Sequence, residues 1–235
     1  VVYESQNRPD VAASFFQQVL ELDPTGASLP VPLQQIVRKL TSALITLGRF
    51  DEAAGYLVTA VARKPDAHLL GELADVYAAQ GKLDESRKRY VQALQLDNQN
   101  VAAFVGLGRL ALAENQPREA HGWFEHALAN GGKSAALHFQ MSRALILCNR
   151  PDLAAEHLEE SRRLRNAAES DQREQYLIAD QPDSHHARFL LARQAIRAGA
   201  WNQAEQYLQD LERQLPGDPQ VAHLRAQLER QRGPN

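Results

Sequence analysis

The chain has 235 residues, a formal net charge of -3 and a hydrophobic fraction of 44%, enough to bury a core as one or two domains or as one elongated array. The mildly acidic balance lacks the basic excess of a nucleic-acid binder. A single cysteine, Cys148, excludes an internal disulfide framework and a multi-cysteine metal site.

No apolar run reaches the roughly 20 residues that span a bilayer. Ala and Leu recur among Gln, Glu and Arg, all strong helix formers, while Val, Ile and Thr are too sparse for sheets. The composition therefore predicts an all-α chain, and its elements follow one another with a period.

In chain order, the first corner is Asn7-Arg-Pro-Asp-Val-Ala12, between two amphipathic runs. Tyr3 sits late in the run before it, so the sequence reads as a fragment that begins inside a unit. Residues 27–33, with Pro30 and Pro32, read as a short rigid insertion. The corner recurs as Gly48-Arg-Phe-Asp-Glu-Ala53, Gly81-Lys-Leu-Asp-Glu-Ser86, Asn115-Gln-Pro-Arg-Glu-Ala120 and Asn149-Arg-Pro-Asp-Leu-Ala154. Residues 169–184 read as a longer insertion. Its helical composition prolongs the preceding helix, up to Gln181-Pro-Asp183, or forms a hinge. A last corner, Gly199-Ala-Trp-Asn-Gln-Ala204, follows. The polar stretch 221–232, with Leu224 and Leu228 four apart, reads as a capping helix.

Gly or Asn at each corner suits the left-handed residue that ends a helix. Pro9, Pro117 and Pro151 suit the first turn of the next helix, where no donor is missed. Asp10, Asp51, Asp84 and Asp152 suit a helix N-terminus electrostatically. The units run approximately over 1–26, 34–66, 67–100, 101–134, 135–168 and 185–218, with the cap at 219–232. The expectation is one array covering residues 1–235.

The spacing of about 34 residues between central corners is the period of tetratricopeptide repeats, and the sequence closely resembles that family. Leu107-Gly108 fits its Leu-Gly pair. Ala120, Phe124 and Ala127 fit its small, bulky and small positions in the second helix. So do Ala53, Leu57, Ala60 and Pro65; Ala12, Phe16, Val19 and Pro24; Ser86, Tyr90 and Ala93; Ala154, Leu158 and Ser161; and Ala204, Leu208, Leu211 and Pro216. The resemblance implies an α-α superhelix, a solenoid of about six helix-turn-helix units plus a C-terminal capping helix. It also implies a groove lined by the first helices, a non-catalytic scaffold role and no cofactor.

In that register one groove column holds Arg109, Arg143 and Arg193, preceded by Ser42 and Asp75. Val105, Phe139 and Phe189 lie one turn to one side, and Leu112, Ile146 and Ile196 to the other. Arginine makes charge-assisted bonds to carboxylates and carbonyls, so the expected ligand is a peptide or protein segment with acidic and apolar side chains. The competing reading has the same arginines bridging neighbouring units through Glu or Asp. The carboxylate clamp of chaperone-binding members is not carried over, because its positions hold Arg38, Ser42 and Asp75. Other expectations are a recognition module of a larger protein, such as a polysaccharide-export component or a glycosyltransferase, and homo-oligomeric assembly. The compartment is open between cytoplasm and periplasm.

Motifs of chemistry read as structural. Ala127-Leu-Ala-Asn-Gly-Gly-Lys-Ser134 looks like a relaxed phosphate loop, but no strand precedes it, so Gly131-Gly132 reads as a helix stop. Gly106-Leu-Gly108 lacks the strand and third glycine of a dinucleotide loop. His121 and His126 lie five apart, and His185-His186 point to different faces, so neither pair has metal-ligand spacing. Cys148 reads as a small buried hydrophobe.

Overall fold

The computed structural model describes residues 8–232. Among these residues there are twelve α-helices and no strand. They are α1 (Pro9–Leu22), α2 (Leu33–Thr46), α3 (Phe50–Arg63), α4 (Ala67–Ala79), α5 (Leu83–Leu96), α6 (Val101–Ala113), α7 (Pro117–Ala129), α8 (Ala135–Leu147), α9 (Pro151–Asp180), α10 (His185–Arg197), α11 (Trp201–Gln214) and α12 (Pro219–Arg232). Tyr3 and Asn7, and with them the first corner's opening residue, lie outside the described residues. The chain divides into two compact units, one through Ser161 and one from Arg162.

The corners are built alike. Gly48, Gly81 and Gly199 have φ of 73°, 75° and 70°, and Asn115 and Asn149 have 60° and 58°. The residue after each donates its N–H back to the preceding helix: Arg49 to Leu44 at 2.8 Å, Lys82 to Tyr77 at 2.9 Å, Gln116 to Ala111 at 2.8 Å, Arg150 to Leu145 at 2.9 Å and Ala200 to Ala195 at 2.9 Å. This six-to-one bond closes the last turn around a left-handed residue, a conformation that glycine takes without strain and asparagine tolerates. Pro9, Pro117 and Pro151 open α1, α7 and α9.

First helices start differently. Side chains of Asp66, Asn100, Ser134 and Ser184 accept backbone N–H bonds at the starts of α4, α6, α8 and α10, satisfying donors that a helix N-terminus leaves free. The apparent phosphate loop is one of these joints: Gly131 has φ 88°, Gly132 donates to the Ala127 carbonyl at 2.9 Å, and Ser134 caps α8.

In the first unit, from α1 to α8, each helix packs on the next. The first helices α2, α4, α6 and α8 also touch in succession, so they form one layer against the second helices. Ala120, Phe124 and Ala127 are fully buried, as are Ala53 and Leu57. Two glycines set the closest approach. A Cβ on Gly106 would lie 2.1 Å from Cζ of Tyr90, and one on Gly108 would lie 2.3 Å from Cε1 of Phe124. Thus α6 receives an aromatic ring from α5 and another from α7. Ser86 occupies the small slot in α5 and donates to the Ala74 carbonyl at 2.7 Å.

Between α1 and α2, the carboxylate of Asp23 accepts from the N–H groups of Gly26 (2.8 Å) and Ser28 (2.7 Å) and from the Thr25 hydroxyl (2.9 Å), which winds the start of the insertion into a fixed turn. Cys148 is half-buried at the end of α8 rather than buried.

α9 runs 30 residues without a break, so the stretch after 168 lengthens the helix up to Asp180. In the second unit α10, α11 and α12 pack together. Val221, Leu224 and Leu228 of α12 share a core with Ile196, Leu208 and Leu211. Arg225 fastens α12 to α11 through Glu212 (Nε–Oε1 2.8 Å) and Glu205 (Nη1–Oε1 2.6 Å). These carboxylates raise its already high pKa further, Glu212 most.

Ala120 is fully buried where α7 crosses its neighbours. Ala120→Leu is expected to overpack this crossing and cost about 1–3 kcal/mol, read as a lowered thermal unfolding midpoint. An unchanged midpoint would refute the assigned register.

Candidate functional site

On the layer of first helices, polar side chains bridge successive units. Arg38 on α2 donates to Glu72 on α4, Nε to Oε1 at 2.7 Å. The second oxygen of Glu72, Oε2, is buried with no hydrogen-bond partner among the described residues. A cavity of about 440 Å³ opens beside this pair, lined by Gln35, Arg38, Lys39, Ser42 and Glu72.

One unit on, Asp75 of α4 accepts at Oδ1 from the Tyr90 hydroxyl at 2.7 Å and from Nη1 of Arg109 on α6 at 3.4 Å. Tyr90 is 2% exposed. Burial and then the adjacent carboxylate push its phenol far above the ordinary value, so it stays a donor throughout the working pH range. Asp75 and Arg109 are about half-exposed, at 51% and 54%. They flank a second cavity, of about 300 Å³, between α4 and α6, whose other walls include Ala78, Ala79, Gly106 and Leu110.

The residues expected at the groove distribute as follows. Arg109 and Arg143 lie on adjacent first helices of the first unit, both exposed. Arg109 bridges back to Asp75, and Arg143 bonds within its own helix to Gln140 at 3.1 Å. Arg193 belongs to the second unit. It is 28% exposed and pairs through Nη2 with Glu174 on α9, and its Nε is buried without a partner among the described residues. Arg193 is thus held by a carboxylate of the lengthened α9.

Phe139 and Ile146 on α8 are exposed, at 45% and 59%. Val105 and Leu112 are half-buried against the core of the first unit, and Phe189 against that of the second. Ile196 is 1% exposed. The surface role expected of it is corrected: it is a core residue, because α12 packs on α10 and shares that core.

The sequence reading passed over Tyr90, Gly106, Glu72, Gln35 and Lys39 as site residues. The available signal was a glycine in a first helix facing a bulky second-helix residue. It also missed an imidazole pair, His138 on α8 and His157 on α9, with Nδ1 atoms 3.0 Å apart. His121 faces Glu125 at 3.6 Å, and His126 stacks with Phe104, ring centroids 5.4 Å apart. Among the described residues no group of three or more His, Cys, Asp or Glu is arranged to hold a metal ion, and no helix is long and apolar enough to cross a membrane.

Comparison with known proteins agrees with this architecture. Residues 74–113 match the family described as TPR repeat, and residues 166–228 match that described as tetratricopeptide repeat. No curated protein matches the sequence. Among solved structures, the chain is similar to Pseudomonas aeruginosa pilF, with 18% identity, a TM-score of 0.59 and coverage of 95% of this chain and 92% of that one. MamA from Desulfovibrio magneticus RS-1 aligns with 12% identity and a TM-score of 0.56 over 70% of this chain and 90% of the other. TTC0263, a thermophilic protein of Thermus thermophilus, aligns with 18% identity and a TM-score of 0.51 over 83% and 98%. At these identities the likeness concerns the fold.

Proposed function

Since the chain is built of tetratricopeptide repeats, a fold that serves protein–protein interaction, we propose that the first-helix layer of the first unit is its binding groove and takes an extended or helical segment of a partner protein. The observation that carries this reading is the cavity between α4 and α6, where Asp75, the Tyr90 hydroxyl and Arg109 converge in a wall of small apolar residues. A concave site with a few placed polar groups and apolar lining is the usual composition of a recognition site.

Arg143, Phe139 and Ile146 extend the surface on α8, where the Arg143 guanidinium bridges to no other helix among the described residues and stands beside exposed apolar side chains. The mechanism is rigid display: hairpins locked by their corners present many weak contacts with little ordering cost. Binding, not turnover, is the activity this composition supports, and a protein or peptide is the ligand class. No nucleic acid and no cofactor enter the reading.

The test places a photo-crosslinking residue at Phe139 and, as a control, at Leu22, which is 87% exposed on α1. Partners captured from the source organism at Phe139 are expected to disappear in Arg109→Glu/Arg143→Glu, with circular dichroism unchanged. The same partners captured from both positions, or retained in the charge-reversed protein, would refute the groove.

A further inference from the structure

We propose that the cavity between α4 and α6 recognises a carboxamide, the side chain of an asparagine or glutamine on the partner segment; this rests on the groove reading above. The cavity presents two opposite charges at once. Asp75 offers a carboxylate whose Oδ1 is engaged by Tyr90 and Arg109 and whose Oδ2 has no hydrogen bond among the described residues. Arg109 uses Nη1 for Asp75, at a long 3.4 Å, and its Nε and Nη2 make no hydrogen bond among the described residues.

A free acceptor and free donors therefore stand side by side. A partner carboxylate would gain from Arg109 and be repelled by Asp75, and a partner ammonium would meet the reverse. A carboxamide carries N–H donors and a carbonyl acceptor on one planar, uncharged group. It satisfies both residues without leaving an unpaired charge, and a site built to hydrogen-bond a neutral group discriminates strongly against analogues that leave its own groups unpaired.

Two features fix the geometry. Tyr90 holds Asp75 from below through a short bond of 2.7 Å. Gly106, with no side chain, lets the Tyr90 ring pack against α6, where any Cβ would clash with it. At about 300 Å³, the cavity is at the small end of ligand sites, the size for one or two side chains. Ala78, Ala79, Leu110 and Ala113 line it and cover the aliphatic stem.

The experiment is selection of a displayed library of random twelve-residue peptides on the immobilised chain, in parallel with Asp75→Ala and Arg109→Ala, each checked for folding by circular dichroism. The expected result is enrichment of Asn or Gln at one fixed position, lost in both variants. Single replacement of that residue by Asp, Glu or Lys is expected to weaken a selected peptide at least tenfold. Peptides that depend on Arg143 and Phe139 but carry no fixed amide would overturn the carboxamide site and leave the groove standing. A fixed acidic or basic residue in place of the amide would overturn it likewise. No enrichment that depends on any groove residue would overturn both.

Discussion

Gly106→Ala and Gly108→Ala are expected to destabilise the chain, although alanine is intrinsically better in a helix than glycine by about 1 kcal/mol. The reason is the rings packed onto α6. The added methyl carbon would lie 2.1 Å from Cζ and 2.4 Å from Cε1 of Tyr90, or 2.3 Å from Cε1 and 2.7 Å from Cδ1 of Phe124. Both rings are buried, at 2% and 0% exposure, and are not flexible chain ends that can step aside.

Overpacking a filled core costs about 1–3 kcal/mol. With clashes this deep the upper part of that range applies, so a net loss of about 2 kcal/mol remains after the helix-propensity gain. Gly55, Gly71 and Gly122 are the controls, since a Cβ at each meets nothing within 4 Å. Alanine there is expected to stabilise by up to about 1 kcal/mol. Urea unfolding followed by circular dichroism separates the two classes by sign. A stabilising Gly106→Ala would mean that the Tyr90 ring is not seated against α6. Phe124→Leu in the Gly108→Ala background should recover part of the loss, because it removes the ring edge that the methyl meets.

The same contacts explain why the repeat was readable and the site was not. The corners announce themselves locally: Gly48, Gly81, Asn115, Asn149 and Gly199 each satisfy a backbone requirement within six residues. A period of local requirements is visible in one dimension. The cavity depends instead on residues from three helices. Asp75, Tyr90 and Gly106 are far apart in sequence, and their meeting follows from how α5 leans on α4 and α6. Gly106 even resembled a failed nucleotide motif, since a glycine placed for close packing and one placed for a phosphate look the same in a sequence.

Two members of the expected groove columns, Ile196 and Arg193, differ from the rest for a related reason. Period alone treats every unit as having the same neighbours. Ile196 lies beneath the terminal helix and is buried, whereas Ile146, at the corresponding place on α8, stays open. Arg193 meets Glu174 because α9 is 30 residues long, a length no other described helix shares. Units next to an insertion or a cap exchange solvent for protein, and the same residue type changes role.

One such exchange predicts a pH dependence. Phe104 and Trp123 stack with ring centroids 6.2 Å apart. Thirty-four residues on, the same two positions hold His138 and His157, with centroids 5.2 Å apart and Nδ1 atoms at 3.0 Å. At that distance one Nδ1 carries a proton and the other accepts it. Protonating both would set two N–H groups against each other.

Burial, and then the neighbouring His138, hold His157 below its ordinary value of 6.5. Glu156 opposes this, and His121, which itself faces Glu125 at 3.6 Å, adds to it. The unfolded chain therefore binds its proton first as pH falls. Stability contributed by the neutral pair is present above about pH 6.5 and is lost as pH falls through the lower folded value, with a slope of at most about 1.4 kcal/mol per pH unit for one proton.

His138→Phe/His157→Trp reproduces the stack of the preceding unit, which adds about 0.5–1.5 kcal/mol for an aromatic pair and removes the titration. Urea unfolding at a series of pH values between 5 and 8 is expected to give a shallower dependence in the double variant than in the parent, with the two curves closest at the alkaline end. Parallel curves would mean that the imidazole pair is as exposed to protons folded as unfolded, and that the two rings are not in contact.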